Sequence, residues 1–126
     1  MEEENALVVF QDKKIRRIWH EQMWFFSVVD VVGALTDSTN ARRYWSDLKA
    51  QLQWEGFELY AKLVQLKLQS ADGKYYETDC ATTETLFRII QSIPSKRAEP
   101  FKRWLAKVGY ERVQEIEDPE LALPLA

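Results

Sequence analysis

At Ser27 the hydrophobic pattern of the chain changes its period. Ahead of it, Met23-Trp24-Phe25-Phe26 is an unbroken apolar run set off by the polar pair Glu21-Gln22, the pattern of a short strand. Beyond it, Val28, Val31, Val32 and Leu35 fall at i, i+3, i+4 and i+7, one face of a helix. Ser27 is a good N-cap, and Asp30 three residues on places a carboxylate where a helix start favours negative charge. A strand that feeds so directly into a helix requires both kinds of element in one packed unit.

The flanking segments extend this reading. Ala6–Phe10 and Ile15–His20, separated by polar Gln11–Lys14, make a three-strand meander with Met23–Phe26. Ile15, Arg17 and Trp19 fall on one side of the second strand and Arg16, Ile18 and His20 on the other, a poor alternation. After Thr36–Asn40, a turn rich in cap formers, a second helix carries Ala41, Tyr44, Trp45, Leu48 and Leu52 on its apolar stripe. Leu63–Leu68 and Lys74–Thr78 flank Asp72-Gly73, which predicts a hairpin with a type I′ turn. Thr82 or Thr83 caps a helix holding Leu86, Phe87, Ile89 and Ile90, expected to be buried almost all round and to end before Pro94. The last helix places Phe101, Trp104, Leu105 and Val108 on one face, with Pro100 in its first turn and Gly109 as its C-terminal cap. Tyr110–Glu117 extends it by a turn or two. The expected fold is α+β: a meander and a β-hairpin forming one or two small antiparallel sheets, packed with four to five helices. Residues 1–118 form the domain and 119–126, with Pro119 and Pro124, a linker-like acidic tail.

Composition excludes several chemistries. The chain has 126 residues, one cysteine (Cys80) and one histidine (His20), so neither an internal disulfide nor a His/Cys zinc site can be built. Four scattered glycines supply no phosphate-binding loop, and His20 has no evident acid partner for nucleophile activation. Cys80 reads as a packing residue, and Asp30 and Asp79 as helix-start residues. No enzyme activity and no cofactor are expected. No apolar run approaches the ~20 residues of a membrane span, and Met1-Glu2-Glu3-Glu4 is acidic where a signal peptide is basic, so the expected location is cytoplasmic.

The formal charge of −3 conceals an asymmetry. Residues 1–4 hold three acids, and 111–126 hold five acids against one arginine; the 106 residues between hold 16 basic and 12 acidic side chains. The basic residues cluster at Arg16 and Arg17, at Arg42, Arg43 and Lys49 on the second helix, and at Lys96, Arg97, Arg103 and Lys107 around the last one. A basic body between acidic ends suits a polyanionic partner, although such runs are also ordinary solvated faces. The first two helices could act as a helix-turn-helix presenting Asn40, Arg42, Arg43, Ser46 and Lys49, residue types that reach base edges and phosphates. The same pair could equally be ordinary amphipathic helices on a sheet, since the turn lacks the usual glycine.

Trp24-Phe25-Phe26-Ser27-Val28-Val29-Asp30-Val31-Val32, after a short strand pair, resembles the entry motif of the Bro-N domain of phage and prophage antirepressors and baculovirus Bro proteins. Phe87-Arg88-Ile89-Ile90 followed by Ala98-Glu99-Pro100-Phe101-Lys102-Arg103-Trp104-Leu105 is similar to that domain's second signature, a buried helix before a basic one. The resemblance covers residues 7–109 and implies DNA binding and transcriptional regulation, with antirepression in prophage settings. It supplies no base-contacting residues; Arg16, Arg17, Arg42, Arg43, Lys49, Lys96, Arg97, Arg103 and Lys107 are candidates on charge and helical face alone. The expected partner is double-stranded DNA. A phage repressor bound without DNA contact is the rival, with single-stranded nucleic acid on exposed Tyr and Trp a third reading. A homodimer would suit half-site recognition, and the acidic tail could occupy the basic face in place of DNA.

Overall fold

In the computed structural model, residues 4–56, 58 and 62–109 are described. The elements run β1 (Glu4–Phe10), β2 (Lys13–His20), β3 (Met23–Ser27), α1 (Val28–Thr36), α2 (Ala41–Trp54), β4 (Val64–Gln69), β5 (Tyr75–Ala81), α3 (Thr83–Ile90) and α4 (Ala98–Val108). The α+β expectation holds, with a single antiparallel sheet in the order β1-β2-β3-β5-β4 and four helices among the described residues. The extension expected over Tyr110–Glu117 and the tail expected over 119–126 lie outside the described residues.

The meander and the hairpin meet in a short ladder, Phe26 opposite Ala81 and Ser27 opposite Cys80. β3 leaves the sheet there because Ser27 caps α1, accepting from the Asp30 amide. That departure leaves Arg16 without a partner on the β3 side, while Leu7 of β1 remains opposite it on the other. Asp30 occupies the β3 side: Oδ2 accepts the Arg16 backbone N–H at 2.9 Å and Nε at 2.8 Å, and Oδ1 accepts Nη2 at 3.0 Å.

Both faces of the sheet are covered, which explains the poor alternation in β2. Phe10, Ile15, Trp19, Trp24 and Phe26 join the apolar faces of all four helices in the main core. On the other face Ile18, Phe25, Leu66, Leu68 and Cys80 form a smaller core as the hairpin curls across the meander. The Arg16 guanidinium reaches the Gln69 carbonyl at 3.2 Å across this curl. Cys80 lies here, and burial pushes its thiol up to about 12, as suits a packing residue.

One turn differs from expectation, and another has a backbone that its residues do not signal. Asp72-Gly73 does not form a type I′ turn: Ser70 accepts from the Gly73 amide at 2.9 Å, Ser70 donates to Lys74 at 2.8 Å, and only Gly73 has positive φ (87°). This is a three-residue loop closed by a left-handed glycine. The turn with two left-handed residues is Glu21-Gln22 (φ 50° and 67°), between paired His20 and Met23. Neither is the Asn or Gly that such a turn favours, so composition hid it.

The helices follow their sequence signals, with three corrections. Thr82 caps α3, as its hydroxyl accepts from the Thr85 amide, but Glu84 and Arg88 are exposed, so that helix is not buried all round. Asp79 is not a helix-start residue; it sits within β5. Gly109 does end α4, but at φ −69°, an ordinary right-handed conformation. Its need is for space, because a Cβ there would overlap Thr83 of α3.

Candidate nucleic-acid interface

α1 and α2 are joined by the four residues Asp37–Asn40, and the missing glycine of that turn has a substitute. Asp37 adopts φ 55°, the left-handed conformation, which aspartate tolerates better than most residues. Arg97 holds it there: one guanidinium nitrogen donates to Asp37 Oδ1 at 2.8 Å and to the Ala34 carbonyl at 2.9 Å, and the other pairs with Asp37 Oδ2. Ser95 donates to the Leu35 carbonyl at 2.6 Å. No basic residue lies in the last turn of α1; the Ser95–Arg97 segment supplies its carbonyl partners and a compensating charge from 60 residues away. The same hydrogen bond from Arg97 holds the Asp37 carboxyl below its ordinary range. Asn40 then caps α2, its side chain accepting from the Arg43 amide at 3.1 Å.

Four of the nine candidate residues are committed inside the fold. Arg16 is the bidentate partner of Asp30. Arg17, 8% exposed, stacks 3.8 Å over the Trp24 ring and donates to the Val108 carbonyl at 2.9 Å, joining β2 to the end of α4. Arg97 clamps the α1–α2 turn. Lys49 donates to Asp79 Oδ2 at 2.8 Å beside Trp45 Nε1 at 2.9 Å, while Gln65 donates to Oδ1 at 3.1 Å. Burial alone would raise the Asp79 carboxyl, but these three hydrogen bonds and the Lys49 charge outweigh it and hold it below the usual aspartate range. Asp79 thus fastens α2 to the hairpin.

The other five, Arg42, Arg43, Lys96, Arg103 and Lys107, are exposed. Among the described residues none has a carboxylate within ion-pair distance, whereas Lys102 is paired with Glu99 at 2.8 Å. Arg103 and Lys107, four apart, lie on the outward stripe of α4, opposite buried Phe101, Leu105 and Val108. Lys96 is not on the helix, since α4 begins at Ala98; it lines a groove of about 480 Å³ with Tyr44 of α2 and Asp37. The two arginines of α2 diverge by one helical step. Arg42 turns toward the hairpin, lining a groove of about 650 Å³ with Arg16, Gln65, Tyr76 and Asp79. Arg43 shares the outward stripe with Trp54, which is 91% exposed.

Charge and face reasoning did not separate the exposed set from the committed one. The partners of Arg16, Arg97 and Lys49 lie 14, 60 and 30 residues away, so no local spacing betrays them. Trp54, left in an ambiguous stretch of sequence, was also missed as a surface residue. Among the described residues there is no cluster of three metal-ligating side chains, and no helix is long and apolar enough to cross a membrane.

The family model for the BRO family, N-terminal domain, matches residues 14–114. No curated protein and no solved structure matches the chain.

Proposed function

The chain belongs to the BRO family N-terminal domains, and from that membership we propose a non-enzymatic, double-stranded DNA-binding domain of a prophage antirepressor-like transcriptional regulator. The observation that carries the reading is the division among the basic side chains: some are consumed in building the fold, while Arg42, Arg43, Lys96, Arg103 and Lys107 stand exposed without carboxylate partners among the described residues. Arginine or lysine on an outward helix stripe neutralises phosphates without first breaking an internal ion pair. In this reading Arg97, Lys49 and Arg16 position the contact surfaces rather than forming them, and Arg17 holds α4 in place.

Anisotropy of a labelled duplex across a salt series tests the proposal. Five neutralised phosphates give a slope of log affinity against log salt of about −4 to −5. Arg103→Glu with Lys107→Glu abolishes binding while the melting curve stays unchanged. No binding at ~50 mM salt, or charge-reversed protein binding like wild type, overturns it.

One feature favours a second reading, binding and blocking a phage repressor protein. Trp54 stands almost fully exposed on the outward stripe of α2, and exposed tryptophan is a common anchor of protein interfaces. Trp54→Ala separates the two: it leaves duplex binding intact in the DNA reading and removes repressor binding in the other.

A further inference from the structure

α2 and α4 each turn basic residues outward, but their outward stripes differ in what else they carry. On α2, exposed Asp47 follows Arg43 by one turn, and Trp54, almost fully exposed, stands two turns beyond Asp47. Arg42 leaves that stripe for a groove it shares with the carboxylates of Asp72, Glu77 and Asp79. The Asn40 side chain is occupied in capping the helix. On α4 the exposed side chains are Glu99, Arg103, Ala106 and Lys107. The acid among them is neutralised by Lys102 at 2.8 Å, and exposed Lys96 stands just ahead of the helix. Ala106 lies between the two cations, so this face is slender as well as basic. The 11-residue helix is about 16 Å long, and the major groove of duplex DNA, ~12 Å wide, admits an α-helix. The backbone of α4 is fixed from behind. Phe101, Leu105 and Val108 are buried, Phe10 meets Phe101 and Trp104 edge-on, and Arg17 holds the Val108 carbonyl. Side chains on so rigid a support can be aimed at base edges.

We propose, on the footing of the DNA-binding reading, that α4 is the helix that enters the major groove, with Arg103 as its base-reading side chain. Arg103 stands mid-helix, where a guanidinium can donate two bonds to guanine O6 and N7. Ala106, three residues on, presents a methyl to a neighbouring thymine. Lys107 and Lys96, toward the two ends, take phosphates. α1 and α2 then do not serve as a base-reading helix-turn-helix. Along the α2 stripe Asp47 would meet the negative charge of the duplex, and the Trp54 indole would hold the helix off the groove floor. α2 is left with backbone contacts through its arginines.

Selection by the full chain from a library of duplexes with a randomised core tests the assignment. Wild type enriches a motif containing a guanine whose replacement weakens binding about fivefold or more. Arg103→Gln moves the preference at that position from guanine to adenine, the base that glutamine pairs bidentately. Arg103→Lys, which keeps the charge, holds duplex in general as wild type does and blunts the guanine preference; it decides the matter should Arg103→Gln bind no duplex. Arg42→Ala with Arg43→Ala weakens all sequences alike and leaves the motif unchanged. All these positions are exposed, and an unchanged melting curve shows each fold intact. Enrichment of the wild-type motif by the Arg103 variants, its loss in the α2 variant, or duplex binding without any motif overturns the role of α4 while DNA binding stands. A wild-type chain that binds no duplex overturns both.

Discussion

Replacing Gly109 by alanine asks the junction of α3 and α4 to hold one more methyl group. The backbone there is right-handed, φ −69° and ψ −19°, so alanine adopts it freely; the unfolded-state entropy term alone would favour the change by ~0.4–1 kcal/mol. Space decides the sign. A Cβ at this position overlaps Thr83 Oγ1 and lies 3.3 Å from Thr83 Cβ and 2.9 Å from the Leu105 carbonyl oxygen. Thr83 is buried in the first turn of α3 and β-branched, with few alternative rotamers, and the Leu105 oxygen is backbone. Relief therefore requires the two helices to separate, which loosens the packing around fully buried Phe101 and Leu105. Overpacking of this kind costs about 1–3 kcal/mol, leaving a net loss of roughly 1–2 kcal/mol after the entropic gain. For a domain this size that is a fall in Tm of about 4–8 °C. Urea and thermal unfolding followed by tryptophan fluorescence measure it. Adding Thr83→Ala removes the closest atom and recovers at least half of the loss. A Gly109→Ala protein as stable as wild type would refute the steric argument.

Three further outcomes are expected. Arg17→Met leaves the Val108 carbonyl without its guanidinium donor and removes the cation from the Trp24 face, costing about 3 kcal/mol in urea unfolding; a loss below ~1 kcal/mol would mean that the buried cation contributes no net stability. Glu21→Asn with Gln22→Gly gives the I′ turn residues suited to its left-handed backbone and raises stability by about 1 kcal/mol, read as a higher urea midpoint at constant m. The Asp79 carboxyl is held below its unfolded value, so its stabilisation is complete above the ordinary aspartate range near pH ~4 and is lost as pH falls through the lower folded value. Asp79→Asn therefore destabilises at neutral pH and flattens the acid side of the stability–pH profile; a parallel profile would show that Asp79 does not carry that slope.

What was legible in the residues was local. The change of period at Ser27, the cap expected at Thr82 or Thr83 and the i, i+3, i+4, i+7 stripe of α4 depend on neighbours within a turn, and each lies where its spacing placed it, with Thr82 as the cap; Asn40, read as a residue for base edges, caps α2 instead. The features that composition did not signal are settled by strand pairing and by distant parts of the chain. Glu21-Gln22 is left-handed although neither residue asks for it, because the register of β2 with β3 imposes it. Asp79 resembled a helix start only while β5 was assumed to end at Thr78. For the candidate interface the limit is sharper. A lysine or arginine on a helix face looks the same in sequence whether water or a carboxylate across the fold awaits it. Arg97 differs from Arg103 through Asp37 and the Ala34 carbonyl, which a separate stretch of chain delivers.

The bond from Arg17 to the Val108 carbonyl spans 91 residues, and that interval bears on how the chain is made. As the polypeptide leaves the ribosome, the meander can pair locally, since each of its strands lies within a few residues of the next. Its helix-facing side carries the Arg17 guanidinium over the Trp24 ring, and the Val108 carbonyl that accepts from it is synthesised 91 residues later. Closing the core before α4 arrives forgoes this hydrogen bond, so this face of the meander is completed only when α4 emerges. A message truncated ahead of Val108 yields a chain that lacks this bond and the apolar cover of α4, a species suited to chaperone capture or proteolysis. This bond, the longest in sequence separation among the described side-chain hydrogen bonds, acts as a completeness check on the domain's own synthesis.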